Sequence, residues 1–492
     1  MKFGNLVCSN KPANPCFAKD DMTLPVGLLT AISNPGGGQV ALVIGAGCSF
    51  EAPTSLPLAG KCSEDAHRKL VDNGVLADGE CAVPWDLSAL ADLIKAKNGG
   101  QQAELVKCLP YNKFKTAKAN EGHLIAAALL LEGAVTNIIT LNYDLALSNA
   151  LAALGVGDEV SIVNGPDQHS QMGKSNVIYL HRSVDNDFEE WILTTEALET
   201  EWQDNWEEVV ARSMIAVPVT VFAGMGSSCG VLRHSTEKIR SAVGNDTRLI
   251  LANPGNPADS NFADEIKIEG ENYVQLGWID FMRKLGERYH KETANNVDTK
   301  CHEIAKREGY IDPATGEALE EIDELTNRVR ELGILGFGSF RSAILLDSRA
   351  FPKVEEGHLY SIAGLLLAVG CVERQGNASA VVQNDGHVVF NVDGKREVPV
   401  LLVDGSTKNL RWLTLESQLV QHEKTSSHDI GKKSRRVMAI GISGTKLEEA
   451  TPPKSIVGDD DEHSILTAED SFAFWDIEDL RSVDGSIESL LS

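Results

Sequence analysis

The chain has 492 residues, 42% of them hydrophobic, and carries 71 acidic against 45 basic residues, for a formal net charge of −26 at pH 7. This length and apolar content can supply the cores of two or three domains. The negative charge argues against direct nucleic-acid binding, which needs basic groups to neutralise phosphates. The longest apolar runs, near residues 124–131 and 359–369, are too short to cross a bilayer, so no membrane partner is expected.

The first 24 residues are rich in Asn, Lys and Pro and are predicted to form a loose N-terminal arm (1–24). The opening sequence has no apolar signal core followed by a cleavage site. The nine cysteines are odd in number and show no pairing pattern, which is typical of a reducing compartment. We therefore expect a cytoplasmic protein.

The first strand-like run covers residues 40–44 and is followed by the sequence Gly-Ala-Gly-Cys-Ser. A short apolar run bounded by glycine is typical of a strand buried on both faces. Glycines directly after it let the backbone approach a ligand, and a helix N-terminus that follows suits a phosphate. The third glycine of the Rossmann fingerprint is missing, so this turn alone leaves a nucleotide site and a plain strand–helix turn equally open.

Four more apolar runs, at 137–141, 177–180, 219–223 and 248–252, are predicted strands, with helices predicted at 63–72 and 122–133. Each run ends in small or polar residues. Because parallel strands end at one edge of a sheet, these residues should face one crevice. The pattern predicts an α/β fold with a Rossmann-like, doubly wound parallel sheet.

The composition becomes strongly charged after residue 290. Residues 291–332 are predicted to form a helical connector, and residues 333–455 a smaller α+β C-terminal domain. That domain opens on a glycine-rich junction at 333–339 and contains a hairpin of strands at 378–382 and 387–392. Residues 456–492 hold eleven acidic residues and one arginine, so this acidic C-terminal tail has a net charge of −10.

Four short sequences occur in an order that resembles the sirtuin-like NAD-binding domain family, over about residues 25–290. They are Gly45-Ala-Gly-x-Ser49, Asn142-Tyr-Asp144, the strand-end His181 and Phe222-x-Gly-x-Gly-Ser227. The resemblance is to the branch found in bacterial antiphage defence proteins, which hydrolyses NAD and lacks a zinc ribbon. No two cysteines here are three positions apart, so the paired Cys-x-x-Cys ligands of the deacetylating branch are missing and no metal is expected.

The resemblance implies that NAD is the substrate and assigns a role to each strand-end residue. The phosphates would lie over the first glycine turn, the second glycine turn would meet the adenosine half, and an aspartate would face the nicotinamide half. The residues expected to contact NAD in these ways are Gly45, Ala46, Gly47, Ser49, Asp144, Gly224, Gly226, Ser227 and Asn253. The glycines of the second turn have an alternative interpretation, which is close strand–helix packing.

The resemblance assigns catalysis to Asn142 and His181. The amide would hold a ribose hydroxyl or the attacking water, and the imidazole would accept a proton, for which its ordinary pKa is suited. Each has a structural alternative, since Asn142 or Asp144 could cap the next helix and a histidine is often a buried structural residue. The family usually has glycine after this histidine, where this chain has Arg182.

The resemblance implies an NAD+ nucleosidase, a hydrolase of N-glycosyl bonds that releases nicotinamide and ADP-ribose and serves as a regulated effector in bacterial antiphage defence. Two alternatives stay open, a non-catalytic sensor of NAD or ADP-ribose and a scaffold subunit of a larger defence complex. The resemblance also implies a homo-oligomer and a possible ATPase, nuclease or sensor subunit as partner.

Overall fold

The fold is described from a computed structural model of the chain. The part of the chain that it describes comprises residues 24–33, 38–154, 160–203, 205–226, 230–243, 248–268, 270–308, 314–316, 320–342 and eight strands between residues 344 and 476. The predicted arm, apart from residue 24, and the apolar run at 359–369 lie outside these ranges, as does the acidic tail except for one strand.

A seven-stranded sheet forms the centre of the first 290 residues. Its strands are β1 (Val40–Ile44), β2 (Val135–Thr140), β3 (Ser161–Val163), β4 (Asn176–Tyr179), β5 (Val219–Ala223), β6 (Arg248–Ala252) and β7 (Tyr273–Val274). They lie in the order β3-β4-β2-β1-β5-β6-β7, and each neighbouring pair is parallel. The predicted doubly wound parallel sheet is confirmed, and its strand order reverses between β1 and β5.

Fourteen helices surround or follow this sheet in the described residues. They are α1 (Val26–Ile32), α2 (Ala59–Asp72), α3 (Leu87–Lys97), α4 (Ala103–Cys108), α5 (Tyr111–Lys115), α6 (Glu121–Leu131), α7 (Ala146–Ala153), α8 (Thr195–Glu199), α9 (Trp206–Ile215), α10 (Gly230–Val243), α11 (Asn261–Glu265), α12 (Trp278–Glu308), α13 (Glu320–Glu331) and α14 (Gly333–Ser342). In this part of the chain no helix is both long and apolar enough to cross a membrane.

The sheet lies between two helical layers, because alternate residues of each strand point to opposite faces. Leu42 and Ile44 of β1 pack with α1, α6, α7 and α12, whereas Val43 packs in the opposite core with α9, α10 and α11. Every residue of β1 is buried, as a central parallel strand requires. This sandwich leaves the carboxyl edge of the strands to be lined by the connecting turns.

A third core belongs to a helical lobe formed by α2, α3, α4, α5 and residues 184–193. Tyr143, the middle residue of Asn-Tyr-Asp, joins this lobe to the sheet. Its ring stacks on Trp191 with 4.4 Å between centroids, and its hydroxyl donates to the Ile192 carbonyl at 2.7 Å. The lobe is therefore attached directly beside the end of β2.

The long helix α12 crosses position 290, where the composition changes. Its first turns belong to the core that contains α6, and its later turns contact α13 and α14. The junction expected at 333–339 is wrong, because these residues form α14. Gly333 has a left-handed φ of +65°, which separates α13 from α14, and Phe337 of α14 is fully buried. The apolar side chains of this stretch favour helix packing over a flexible link.

The second sheet comprises β8 (Ile344–Leu345), β9 (Ala378–Val382), β10 (Val388–Val392), β11 (Arg396–Val403), β13 (Val437–Gly441) and β15 (Phe472–Asp476), while β12 (Asn409–Leu410) pairs with β14 (Lys446–Leu447). β9 and β10 are antiparallel, as the hairpin prediction requires. β15 lies within the segment predicted as an acidic tail, and it pairs in parallel with β13.

Candidate functional site

Two glycine turns meet where the sheet order reverses. The turn after β1 donates backbone hydrogen bonds from Gly45 to Ala223 and from Gly47 to Gly224, both at 2.9 Å. A Cβ on Gly47 would lie 2.7 Å from the Gly224 Cα, and one on Gly224 would lie 2.4 Å from the Cys48 nitrogen. Gly224 also has a φ of +64°, which side chains disfavour. The contact therefore requires glycine on both sides.

These contacts change the expected role of two backbone donors. The N–H groups of Gly45 and Gly47 are engaged by carbonyls at the end of β5, so in this structure they do not face a phosphate. Ala46 and Gly47 are half-exposed, and Gly226 is exposed with open space around its missing Cβ. The surface that a ligand could reach at this turn is consequently backbone and small side chains.

A buried polar network joins the end of β2 to the first glycine turn. The Asn142 amide nitrogen donates to the Gly45 carbonyl at 3.1 Å and to the Ser49 hydroxyl at 3.3 Å. The Ser49 hydroxyl donates to the Asp144 carboxylate at 2.8 Å. Ser49, Asn142 and Asp144 are only 2%, 7% and 7% exposed. The network thus brings two predicted site residues, Asn142 and Asp144, to a third, Ser49, which lies more than 90 positions earlier in the sequence.

The same contacts show which of Asn142 and Asp144 caps the next helix. Asp144 accepts from the Ala146 backbone N–H at 2.9 Å at the start of α7, whereas the Asn142 side chain points to the glycine turn. Burial raises the pKa of Asp144, and its hydrogen bonds from Ala146 and Ser49 act in the opposite direction. Asp144 is therefore the residue that ties the helix start to Ser49.

His181 follows β4, which neighbours β2. It is 8% exposed, and its carbonyl accepts from Ile192 of the helical lobe at 3.3 Å. Burial, together with the positive charge of Arg182, lowers the pKa of the imidazole to about 4, while a hydrogen bond with the Leu141 backbone acts in the opposite direction. The imidazole is neutral near pH 7, so it is able to accept a proton, though as a weaker base than an exposed histidine.

Arg182 adopts a left-handed backbone conformation, with a φ of +75°. Glycine adopts this conformation more readily than a residue that has a side chain. This conformation costs a side-chain-bearing residue roughly 1–2 kcal/mol. The guanidinium pairs with Glu207 of α9 at 2.8 Å and donates to the Leu180 carbonyl at 3.3 Å. The arginine side chain is thus directed to α9.

Asn120 is a site residue that the sequence analysis missed. It is fully buried at the N-terminus of α6, and its amide donates to the carbonyls of Cys48 at 2.9 Å and Glu51 at 3.4 Å. Its side-chain oxygen accepts from the His123 backbone and from the Trp278 indole at 3.2 Å. One side chain therefore links the glycine turn to α6 and α12.

A sequence signal for this residue exists. The spacing Asn-x-x-His before an apolar helix forms a capping box, in which the His123 side chain accepts from the Asn120 backbone. Glu51 adds a second link, since its carboxylate accepts from the Ile279 N–H at 3.3 Å in the first turn of α12. The glycine turn is consequently held from two sides.

The remaining predicted residues lie farther along the edge. Asn253 follows β6, and its side chain accepts from the Gly255 N–H at 3.1 Å, which is a turn-stabilising contact. Gly226 follows β5, two residues beyond Gly224. Ser227 lies outside the described residues. Their contacts with a nucleotide stay predictions.

One group of potential metal ligands occurs among the described residues. Asp298 and His302 of α12 meet Asp323 of α13, with 3.0 Å between the His302 Nε2 and an Asp323 oxygen. Arg330 also pairs with Asp298 at 3.5 Å. The group stands on α12 and α13, not among the strand-end residues that form the site.

No family model and no curated protein matches this chain. Solved structures that are similar include a Sir2 homologue bound to NAD (18% identity, TM-score 0.33, covering 52% of this chain and 91% of that one). Others are a structure described as concerning the mechanism and regulation of Sir2 enzymes (14%, 0.34, 54% and 98%) and a Sir2 protein with a p53 peptide and NAD+ (16%, 0.31, 53% and 97%). At these identities and TM-scores the similarities do not establish an activity.

Proposed function

We propose that this chain cleaves the nicotinamide–ribose bond of NAD+, releasing nicotinamide and ADP-ribose. The observation that carries the proposal is a carboxamide and a neutral imidazole at the ends of the neighbouring strands β2 and β4, beside two interlocked glycine turns. The turns lie where the strand order reverses, which is the position at which doubly wound sheets bind nucleotides.

Asn142 is assigned to the ribose or the attacking water. Because its amide nitrogen already donates to Gly45 and Ser49, its Oδ1 atom is the acceptor that a ribose hydroxyl or a water would meet. The network also fixes the rotamer of this side chain, so that little entropy is lost when substrate binds. This orientation would hold the ribose as the nicotinamide leaves.

His181 is assigned as the proton acceptor. Breaking the bond produces an oxocarbenium-like sugar, and water addition to it releases one proton. The neutral imidazole can take this proton, and a general base of this kind supplies about 10²–10⁴ in rate. Since burial makes His181 a weak base, positioning of the ribose and the water must supply most of the remaining acceleration.

The order of motifs, which resembles that of sirtuin-like defence proteins, supports a role in antiphage defence. Loss of NAD would harm the cell that makes this chain, so the activity would need a regulator. We assign the protein the role of a regulated antiphage effector in the cytoplasm, assembled as a homo-oligomer or with a further subunit. A sensor or scaffold without catalysis is the alternative outcome of the experiment.

The test is nicotinamide release from NAD+ by the full chain, compared with Asn142→Ala and His181→Ala. We expect release by the wild type and a fall of about 100-fold or more in both variants. His169→Asn is the matched control, because His169 is exposed in the turn after β3. Calorimetric titration with NAD+ runs in parallel. Binding without release would support the sensor, and neither binding nor release would refute the nucleotide site.

A further inference from the structure

The turn that carries His181 contains an arginine in an unfavourable conformation. Left-handed backbone at a residue with a long side chain persists when surrounding contacts determine it. Here φ is +75° at Arg182, and the Arg182 N–H donates to the Tyr179 carbonyl at 3.1 Å, closing the turn. Besides this backbone bond, the arginine side chain supplies contacts of its own that stabilise the turn.

The guanidinium has an anchor on α9. Its Nη2 lies 2.8 Å from a Glu207 carboxylate oxygen, and the two side chains are 14% and 10% exposed. The guanidinium carbon lies 5.6 Å from the centroid of the Trp206 ring, within cation–π distance. A side chain at Gly165 would lie 3.3 Å from the Arg182 Nε, so the loop after β3 leaves room for the arginine. A mostly buried ion pair of this kind is strongly directional.

The anchored cation also lies next to the imidazole in sequence. Burial is the main cause of the lowered pKa of His181; the positive charge of Arg182 lowers this pKa as well, and a hydrogen bond with the Leu141 backbone raises it. Glu207 is the counter-ion of the guanidinium. The charge on Arg182 thus favours the neutral imidazole.

We propose that Arg182 is a positioning residue for His181: its guanidinium, anchored on α9, holds the turn that carries the imidazole and keeps a positive charge beside it. The inference rests on the proposed function in so far as His181 acts in NAD+ cleavage. The effect of the anchored turn and the effect of the positive charge on His181 should therefore be separable by substitution of Arg182. Glycine at position 182 accepts the left-handed turn but removes both anchor and charge, whereas lysine keeps the charge and loses the planar fork.

The experiment measures two quantities in wild type, Arg182→Gly and Arg182→Lys. Histidine ring signals, assigned with His181→Asn, give the pKa of His181 by NMR titration, and nicotinamide release gives kcat and KM. In Arg182→Gly we expect the pKa of His181 to rise, because the positive charge that disfavours its protonated form is removed. We also expect kcat to fall about tenfold or more, with KM within about twofold of wild type. Arg182→Lys should keep the pKa of His181 and lower kcat.

Arg283→Gln is the matched control, since it removes a half-exposed arginine–glutamate pair with Glu121 on α12 and α6. It should leave both quantities unchanged. An unchanged His181 pKa or an unchanged kcat in Arg182→Gly overturns the proposal. If Arg182→Gly does not fold, a wild-type kcat in Arg182→Lys overturns it. If the wild type releases no nicotinamide, the proposed function has failed, and the titration alone then decides whether Arg182 acts on His181.

Discussion

Lowering the pH from about 7.5 to about 5 should destabilise the folded chain through His123. This side chain is 1% exposed in α6, between the glycine turn and α12, and burial lowers its pKa to about 4. In the unfolded chain its pKa returns to the ordinary value of 6.5. A histidine with a lowered folded pKa contributes stability that is fully present above the unfolded pKa and is lost as pH falls toward the folded one.

The two pKa values set the size of the effect. Linkage between about 4 in the folded state and 6.5 in the unfolded state gives a loss of about 2 kcal/mol at about pH 5, relative to about pH 7.5. Other groups titrate over the same interval, His181 among them, so the total change in the free energy of unfolding is not the test. The difference between wild type and a His123 variant isolates this one group, because the other contributions cancel.

The assay is urea unfolding at both pH values, followed by the fluorescence of the seven tryptophans, one of which, Trp278, has its ring 5.9 Å from that of His123. His123→Asn should cost about 2 kcal/mol less at the lower pH than at the higher one. Leu147→Ala, a substitution in the same core, should cost the same at both. A cost of His123→Asn that does not change with pH would refute the reasoning, since the buried imidazole would then titrate as it does in the unfolded chain.

Two further predictions concern the glycine turn. Gly224→Ala should lower the free energy of unfolding by about 2–4 kcal/mol in thermal melts, because the added Cβ would meet the Cys48 nitrogen. Gly74 has a similar φ of +70° but open space around it, so Gly74→Ala should cost only about 1–2 kcal/mol. Equal costs would show that the two turns are not in contact. Ser49→Ala should cost about 1–3 kcal/mol and weaken NAD+ binding in calorimetry, because it removes the hydroxyl donor to one oxygen of the buried Asp144 carboxylate. Unchanged stability and affinity would contradict the network.

The strands near the glycine turns could be predicted because their signal is local. Five apolar runs bounded by glycine or polar residues each correspond to a strand, from β1 to β6 without β3. The two strands that were missed have weak local signals. β3 is three residues long and only partly buried, and β7 has two residues. Pairing with a longer neighbour stabilises such segments, and pairing is a property of the assembled sheet.

The boundary predicted for the helical connector also could not be placed from local sequence. The charged composition from residue 291 suggested a separate segment, yet α12 begins at Trp278 and runs to Glu308 without interruption. Its first turns are held by the Trp278 indole on Asn120 and by Glu51. A charged composition indicates that side chains are exposed to solvent, but it does not mark the end of a helix. The helix α12 continues past the core and simply becomes polar where it is exposed.

The sequence by itself determined the fold class and the edge of the sheet where polar residues gather, because alternation, apolar runs and glycine positions act over a few residues. Only the tertiary structure decided how those residues meet. The Asn142 amide, for example, reaches Gly45 and Ser49, which are more than 90 positions away. The anchor of Arg182 on Glu207 is likewise a contact between different elements. Such contacts depend on how helices and strands pack, so no local pattern encodes them.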